Sequence, residues 1–143
     1  MWLFTVDGFF SAVKDHEFCG EDELMIRARC RQDLERMLKR LYGAQYERLK
    51  LGDGIIELDH ADYRYRYKLP RQDWVIYVAD AADKIIYPTV KDNINPHDRR
   101  HNLRHKALYS IWHALSHMQE DIIKSDKPTD TVITGQARGR RGK

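Results

Sequence analysis

The chain has 143 residues, 33% of them charged, with a formal net charge of +3 and two cysteines. This length fits one domain with a sizeable core, and no apolar run approaches the ~20 residues that a membrane helix needs. Two isolated cysteines exclude a disulfide framework and a zinc site, and they favour a reducing, cytoplasmic setting.

The first third of the chain is typical of a hairpin, a third strand and a helix. Residues 2–5 and 9–13 are short aromatic-rich runs joined by Asp7-Gly8, a good hairpin signal. After a polar loop, the alternating run over residues 24–31 predicts a third strand. Residues 32–42 then place apolar side chains at helical spacing.

The rest of the chain predicts two more strands and two more helices. Residues 54–58 and 63–69 have strand character, and Pro70 opens a helix that ends near residue 87. A last helix is expected over residues 98–124. Its predicted buried stripe consists of Leu103, Ala107, Leu108, Ile111, Leu115, Met118 and Ile122.

This order of elements, β-β-β-α-β-β-α-α with short connections, predicts an α+β fold. We expect an antiparallel sheet of about four to five strands, covered on one face by two to three helices, in a ferredoxin-like or related sandwich. The predicted organisation is a single domain over residues 1–124 and a disordered basic C-terminal tail over residues 125–143.

Two of the predicted strands separate apolar from basic side chains. Alternate residues of a strand point to opposite faces, so Leu24, Ile26 and the tyrosines at 63, 65 and 67 are expected under the helices. Cations cannot be buried there without partners. The opposite, solvated side is the predicted basic face, formed by Arg27, Arg29, Arg31, Arg64, Arg66 and Lys68.

The predicted basic face suggests a non-enzymatic protein that binds a polyanion, above all nucleic acid or a ribonucleoprotein. Arginines track phosphates, and their planes stack on bases. A second basic cluster near the start of the last helix adds Arg99, Arg100 and Arg104. The competing interpretation is internal neutralisation by Glu57, by Asp59 or by the acidic loop, because residues 1–23 carry one lysine and six acids, a net charge of −5.

Three segments resemble a known family. The opening Met1-Trp2-Leu3-Phe4-Thr5, followed by Gly8-Phe9-Phe10-Ser11, is similar to the start of an uncharacterised family of short bacterial and phage proteins. Ala61-Asp62-Tyr63-Arg64-Tyr65-Arg66 resembles the central Asp-Tyr-x-Tyr-Arg strand of that family, and Ala107-Leu108-Tyr109-Ser110-Ile111-Trp112 resembles its final helix. The resemblance implies a compact α+β fold and no activity, and it makes a phage or mobile-element origin an expectation.

A second functional hypothesis is a protein-interaction module. The aromatic hairpin and the acidic loop would contact a second copy or, in a phage-type inhibitor, a host protein. The acidic residues concerned are Asp15, Glu17, Glu21, Asp22 and Glu23. The sequence leaves the oligomeric state open.

No catalytic signature accompanies these features. Ser11 lacks a nucleophile-elbow context, and Cys19 lies in an acidic loop with no basic partner indicated by the sequence. The histidine pairs 101/105 and 113/117 lie on different sides of the last helix, and no further ligand completes either pair. We therefore expect no enzyme, no metal and no cofactor.

Overall fold

The computed structural model describes residues 1–86, 88, 90 and 101–125. Its strands are β1 Trp2–Phe4, β2 Phe9–Val13, β3 Glu23–Ala28, β4 Ile56–Glu57 and β5 Tyr65–Pro70. Its helices are α1 Arg31–Tyr42, α2 Gln45–Arg48, α3 Arg71–Asp83 and α4 His101–Ser125, with a short 3-10 helix at Leu51–Gly54. No helix in this part of the chain is long and apolar enough to cross a membrane.

The five strands form one antiparallel sheet, which confirms the α+β prediction. The strand order is β1-β2-β3-β5-β4. The predicted hairpin is β1–β2, with Phe4 opposite Phe9 at its closed end. β5 returns from the helical segment to pair with β3, and β4 lies at the far edge beside β5. β3 is therefore the central strand, with β2 and β5 as its neighbours.

Helices α1 and α3 cover one face of the sheet and form the core with it. In α1, Leu34, Met37 and Leu38 recur at helical spacing and are fully buried. From α3, Trp74 and Tyr77 stack with their ring centroids 5.6 Å apart and pack in the same cluster. The sheet contributes Phe10, Ala12, Leu24, Ile26, Ala28 and Leu69. This cluster fixes which face of each strand is turned to the helices.

The last helix is confirmed, but its predicted buried stripe is wrong in large part. Contacts divide the chain into two units, Met1–His105 and Lys106–Lys143, with the boundary inside α4. In the first unit Leu103 is exposed. In the second unit Leu108 is buried, whereas Leu115, Met118 and Ile122 are each about half exposed. The spacing of the apolar residues predicted an amphipathic helix. It gave no information on whether another element packs against the apolar side of that helix.

The extent of the domain remains a prediction. A single domain over residues 1–124 is not decided by a boundary that falls within one continuous helix. The predicted disordered tail lies outside the described residues except for Ser125, the last residue of α4.

Candidate nucleic-acid interface

The strand register brings a row of side chains together on the sheet face opposite α1 and α3, where Ser11 and Met25 are themselves buried. Residues directly opposite each other on neighbouring strands point to the same side. Trp2 is opposite Ser11, Ser11 is opposite Arg27, Arg27 is opposite Arg66, and Arg66 is opposite Ile56. The row therefore crosses all five strands and carries one indole and two guanidinium groups.

Arg27 and Arg66 are like charges on neighbouring strands. Such directly opposed pairs have Cβ atoms about 4.5 to 5.5 Å apart and destabilise a sheet when the charges have the same sign. The Arg27 side chain donates a hydrogen bond to the Ser11 hydroxyl at 2.8 Å. The Nε atoms of Arg27 and Arg66 are both buried without a hydrogen-bond partner in the described part of the chain. Each of the two arginines therefore has one buried N–H donor without an acceptor among the described residues.

The ring of Tyr63 contacts two of the arginines, and Tyr63 does not pack under the helices as the sequence predicted. The guanidinium carbons of Arg27 and Arg29 lie over its ring, 4.7 and 4.3 Å from the centroid. Tyr63 is 5% exposed, yet it is absent from the cluster that packs under the helices. The reason is that β5 begins only at Tyr65, and side chains alternate faces only within a strand. Tyr65 and Tyr67 do pack against the core as predicted.

Two members of the predicted basic face differ from the prediction: Arg31 lies on α1, and Arg64 is paired with carboxylates. Arg31 is the first residue of α1, where it pairs with Glu35 at 3.0 Å and donates to the Gly52 carbonyl. Its predicted place on the sheet is wrong because β3 ends at Ala28. Arg64 is exposed and pairs with Glu57 at 2.7 Å and with Asp59 at 2.5 Å. The hydrogen bond to Glu57 raises the pKa of the Arg64 guanidinium. Internal neutralisation is therefore confirmed for Arg64.

The remaining four residues of the predicted basic face are here named the sheet cations: Arg27, Arg66 and Lys68, which lie on strands, and Arg29, which follows the end of β3 and stacks on the same Tyr63 ring as Arg27. None of them lies within ion-pair distance of a carboxylate among residues 1–86, 88, 90 and 101–125. Arg29 and Lys68 are exposed, and Arg27 and Arg66 are half-buried. Lys68 is opposite Met25 and two residues after Arg66 on β5, so it shares the face of the row.

The acidic loop does not neutralise the sheet cations within the described chain. Two of its acids, Asp15 and Glu23, form hydrogen bonds within the loop instead. The Asp15 carboxylate accepts the backbone N–H groups of Glu17 and Phe18, and the Glu23 carboxylate accepts that of Gly20 at 2.8 Å. Lys14 donates to three backbone carbonyls of the same loop. The partner role predicted for this loop remains a prediction.

Of the three arginines in the second predicted basic cluster, the structure describes only Arg104. Arg99 and Arg100 lie outside the described residues. Arg104 is 6% exposed and pairs with Asp33, which is itself 3% exposed. Its guanidinium carbon also lies 5.8 Å from the centroid of the Phe9 ring. A guanidinium buried against a carboxylate is poorly placed to reach a phosphate, and the role of Arg104 as a nucleic-acid contact stays a prediction.

Asp33 belongs to what we call the hairpin–helix network. The backbone N–H of Phe9 and the side chain of Arg36 also donate to its carboxylate, at 3.1 and 3.0 Å. Burial raises the pKa of Asp33, while Arg104, the Phe9 N–H and Arg36 oppose that shift. The hairpin turn is thereby held at the start of α1.

The same network continues to α3. Arg40 pairs with Asp7 at 2.5 Å and with Asp80 at 3.1 Å. The Tyr77 hydroxyl donates to Asp7 at 3.0 Å, and burial together with the Asp7 charge raises the pKa of Tyr77. In this part of the molecule each of the described cations has a carboxylate partner, so the arginines serve the fold.

The sequence prediction did not place four residues on the candidate interface, and it left the face of three of them open. Trp2, Phe4 and Phe9 share the face of the sheet cations because β1 and β2 pair in the register given above. Tyr63 was assigned to the opposite face. The register of the hairpin was the available signal for part of this, because a pairing of Phe4 with Phe9 places Trp2 opposite Ser11.

The comparisons with known proteins give no information on function. No family model, no curated protein and no solved structure matches the chain. The resemblance to short bacterial and phage proteins stays a prediction. Within the described residues, no three histidine, cysteine, aspartate or glutamate side chains converge on a common point where a metal ion could bind.

Proposed function

We propose that this protein binds nucleic acid through the sheet cations, with phosphate groups supplying the negative charge that this face lacks. The observation that carries the proposal is the directly opposed pair of Arg27 and Arg66, neither of which has a carboxylate within reach in the described chain. A phosphate that accepts from both guanidinium groups would relieve their mutual repulsion.

Preorganisation supports the same proposal. The side chain of Arg27 is held by Ser11 and by the Tyr63 ring, and that of Arg29 is held by the same ring. A guanidinium that is already fixed loses less rotational freedom when it binds a ligand. Lys68 adds a flexible point charge on the same side of β5. Fixed arginines beside a flexible lysine suit recognition of a phosphate backbone.

The test is binding as a function of salt. Binding of the full chain to fluorescein-labelled thymidine oligomers of about 12 nucleotides, and to a hairpin duplex of about 12 base pairs, is measured by anisotropy. Four phosphate contacts predict that log affinity falls with log salt at a slope of about −3 for a single strand and about −4 for a duplex. Absence of binding to both probes at about 50 mM salt would overturn the proposal.

Charge reversal provides the matched comparison. The double variant Arg29→Glu/Arg66→Glu is expected to lose about 50-fold in affinity at about 50 mM salt, because two phosphate contacts are removed. The control Arg48→Glu/Arg71→Glu changes the net charge equally, at two exposed positions on α2 and α3. Its affinity should stay within about threefold of the unmodified protein. Equal losses in both variants would mean that net charge, and not this face, governs binding.

A further inference from the structure

Trp2 is an exposed aromatic residue on the same sheet face as the sheet cations. It is 67% exposed, whereas Trp74 lies in the core. The register places Trp2 two strands from Arg27 and three from Arg66. At about 4.8 Å per strand, these separations are roughly 10 and 14 Å. An indole and two guanidinium groups thus lie along one line across the sheet.

Neighbouring rings orient the Trp2 side chain. Trp2 meets Phe4 edge to face, with centroids 6.5 Å apart and planes at 75°. Phe4 meets Phe9 in the same manner, at 4.8 Å and 89°. Phe4 and Phe9 are only partly exposed. Phe4 therefore packs against one side of the Trp2 ring, and Trp2 is the most exposed of the three rings.

We propose that the ligand of this face is a single strand, DNA or RNA, with a base stacked on Trp2 and its phosphates on Arg27 and Arg66. This inference rests on the proposed function. Base–aromatic stacking needs an unpaired base whose π-face is accessible, and the bases of a duplex are stacked on each other. The cations alone would bind either form. Trp2 therefore determines the preference for a single strand.

The decisive comparison is Trp2→Ala against Phe18→Ala. Phe18 is also an exposed aromatic residue, at 59%, but it lies in the acidic loop. With the two probes described above, Trp2→Ala should lower affinity for the thymidine oligomer about tenfold and leave affinity for the duplex unchanged. Its salt slope should also be unchanged because Trp2 carries no charge. Phe18→Ala should bind both probes as the unmodified protein does.

A conservative variant and a spectroscopic signal separate stacking from damage to the fold. Trp2→Phe should retain most of the affinity for the single strand because phenylalanine also offers a π-face. In a Trp112→Phe background the remaining tryptophans are Trp2 and the buried Trp74. The thymidine oligomer should then quench the fluorescence of Trp2, and the duplex should not.

The outcomes distinguish this inference from the function on which it rests. If Trp2→Ala binds the single strand as tightly as before, or loses affinity for both probes equally, stacking on Trp2 is wrong. The nucleic-acid proposal would still stand, provided that reversal at Arg29 and Arg66 lowers affinity and the control reversal does not. If the unmodified protein binds neither probe, both proposals are wrong.

Discussion

The sheet cations and the hairpin–helix network are two arginine-rich regions with opposite electrostatic surroundings. In the network, Arg40 reaches Asp7 and Asp80, and Arg104 reaches Asp33. On the sheet, Arg27 is opposite Arg66, and neither has a described carboxylate partner. Arginines are therefore paired with carboxylates in the hairpin–helix network, whereas on the sheet two arginines of like charge oppose each other.

The comparison teaches that position, and not the number of charges, separates a structural arginine from a candidate binding residue. A buried guanidinium without a counter-charge costs several kcal/mol, so the fold supplies Asp33 to Arg104. The Arg27 and Arg66 side chains stay partly exposed, so water lowers this cost for them. Only a partly exposed guanidinium can lack a carboxylate partner in the fold and still be available for a ligand. Three substitutions test this difference, from the largest expected effect to the smallest.

Replacing Asp33 should damage the fold most. Asp33→Asn keeps the size of the side chain but leaves the buried Arg104 and its neighbour Arg36 without their shared carboxylate. We expect a loss of about 3 to 5 kcal/mol in the free energy of unfolding, measured by urea denaturation. In the control Glu47→Gln, the exposed ion pair with Lys39 should contribute less than about 1 kcal/mol. Similar values for the two variants would contradict the structural role of Asp33.

Gly8→Ala should have an intermediate effect on the same network. A Cβ at Gly8 would lie 2.5 Å from the Cβ of Asp33, so the hairpin turn and α1 must move apart. We expect a loss of about 1 to 3 kcal/mol on urea denaturation. At Gly20 the nearest atom to an added Cβ is the Glu23 carboxylate, 3.3 Å away at the end of a flexible side chain. Gly20→Ala should therefore be nearly neutral, and an equal loss there would exclude the close approach as the cause.

Arg66→Gln should have the smallest effect on stability, and in the opposite direction. Removing one of two opposed like charges is expected to raise the free energy of unfolding by about 0.2 to 1 kcal/mol. The same variant should weaken binding to the thymidine oligomer and lower its salt slope by about 0.7. A loss of stability larger than about 1 kcal/mol would show that Arg66 supports the fold, as Arg104 does.

The sequence predicted the elements better than it predicted the faces. The periods of β3 and α1 are clear, and the hairpin turn at Asp7-Gly8 was recognised. Errors arose where an element ends. Because β3 stops at Ala28 and α1 begins at Arg31, a parity extended to residue 31 assigned Arg31 to the wrong place. The same reasoning misplaced Tyr63, two residues before β5.

By itself the sequence determined the α+β class and the apolar side of β3 and β5, because burial of Leu24, Ile26 and Leu69 is favourable in any arrangement of this kind. Only the tertiary structure decided which cations are paired. Asp33 and Arg104 are 71 residues apart in the chain, whereas Arg27 and Arg66 meet through strand register. Pairing depends on distances of a few ångströms between segments that are remote in sequence, and local patterns carry no information about those distances.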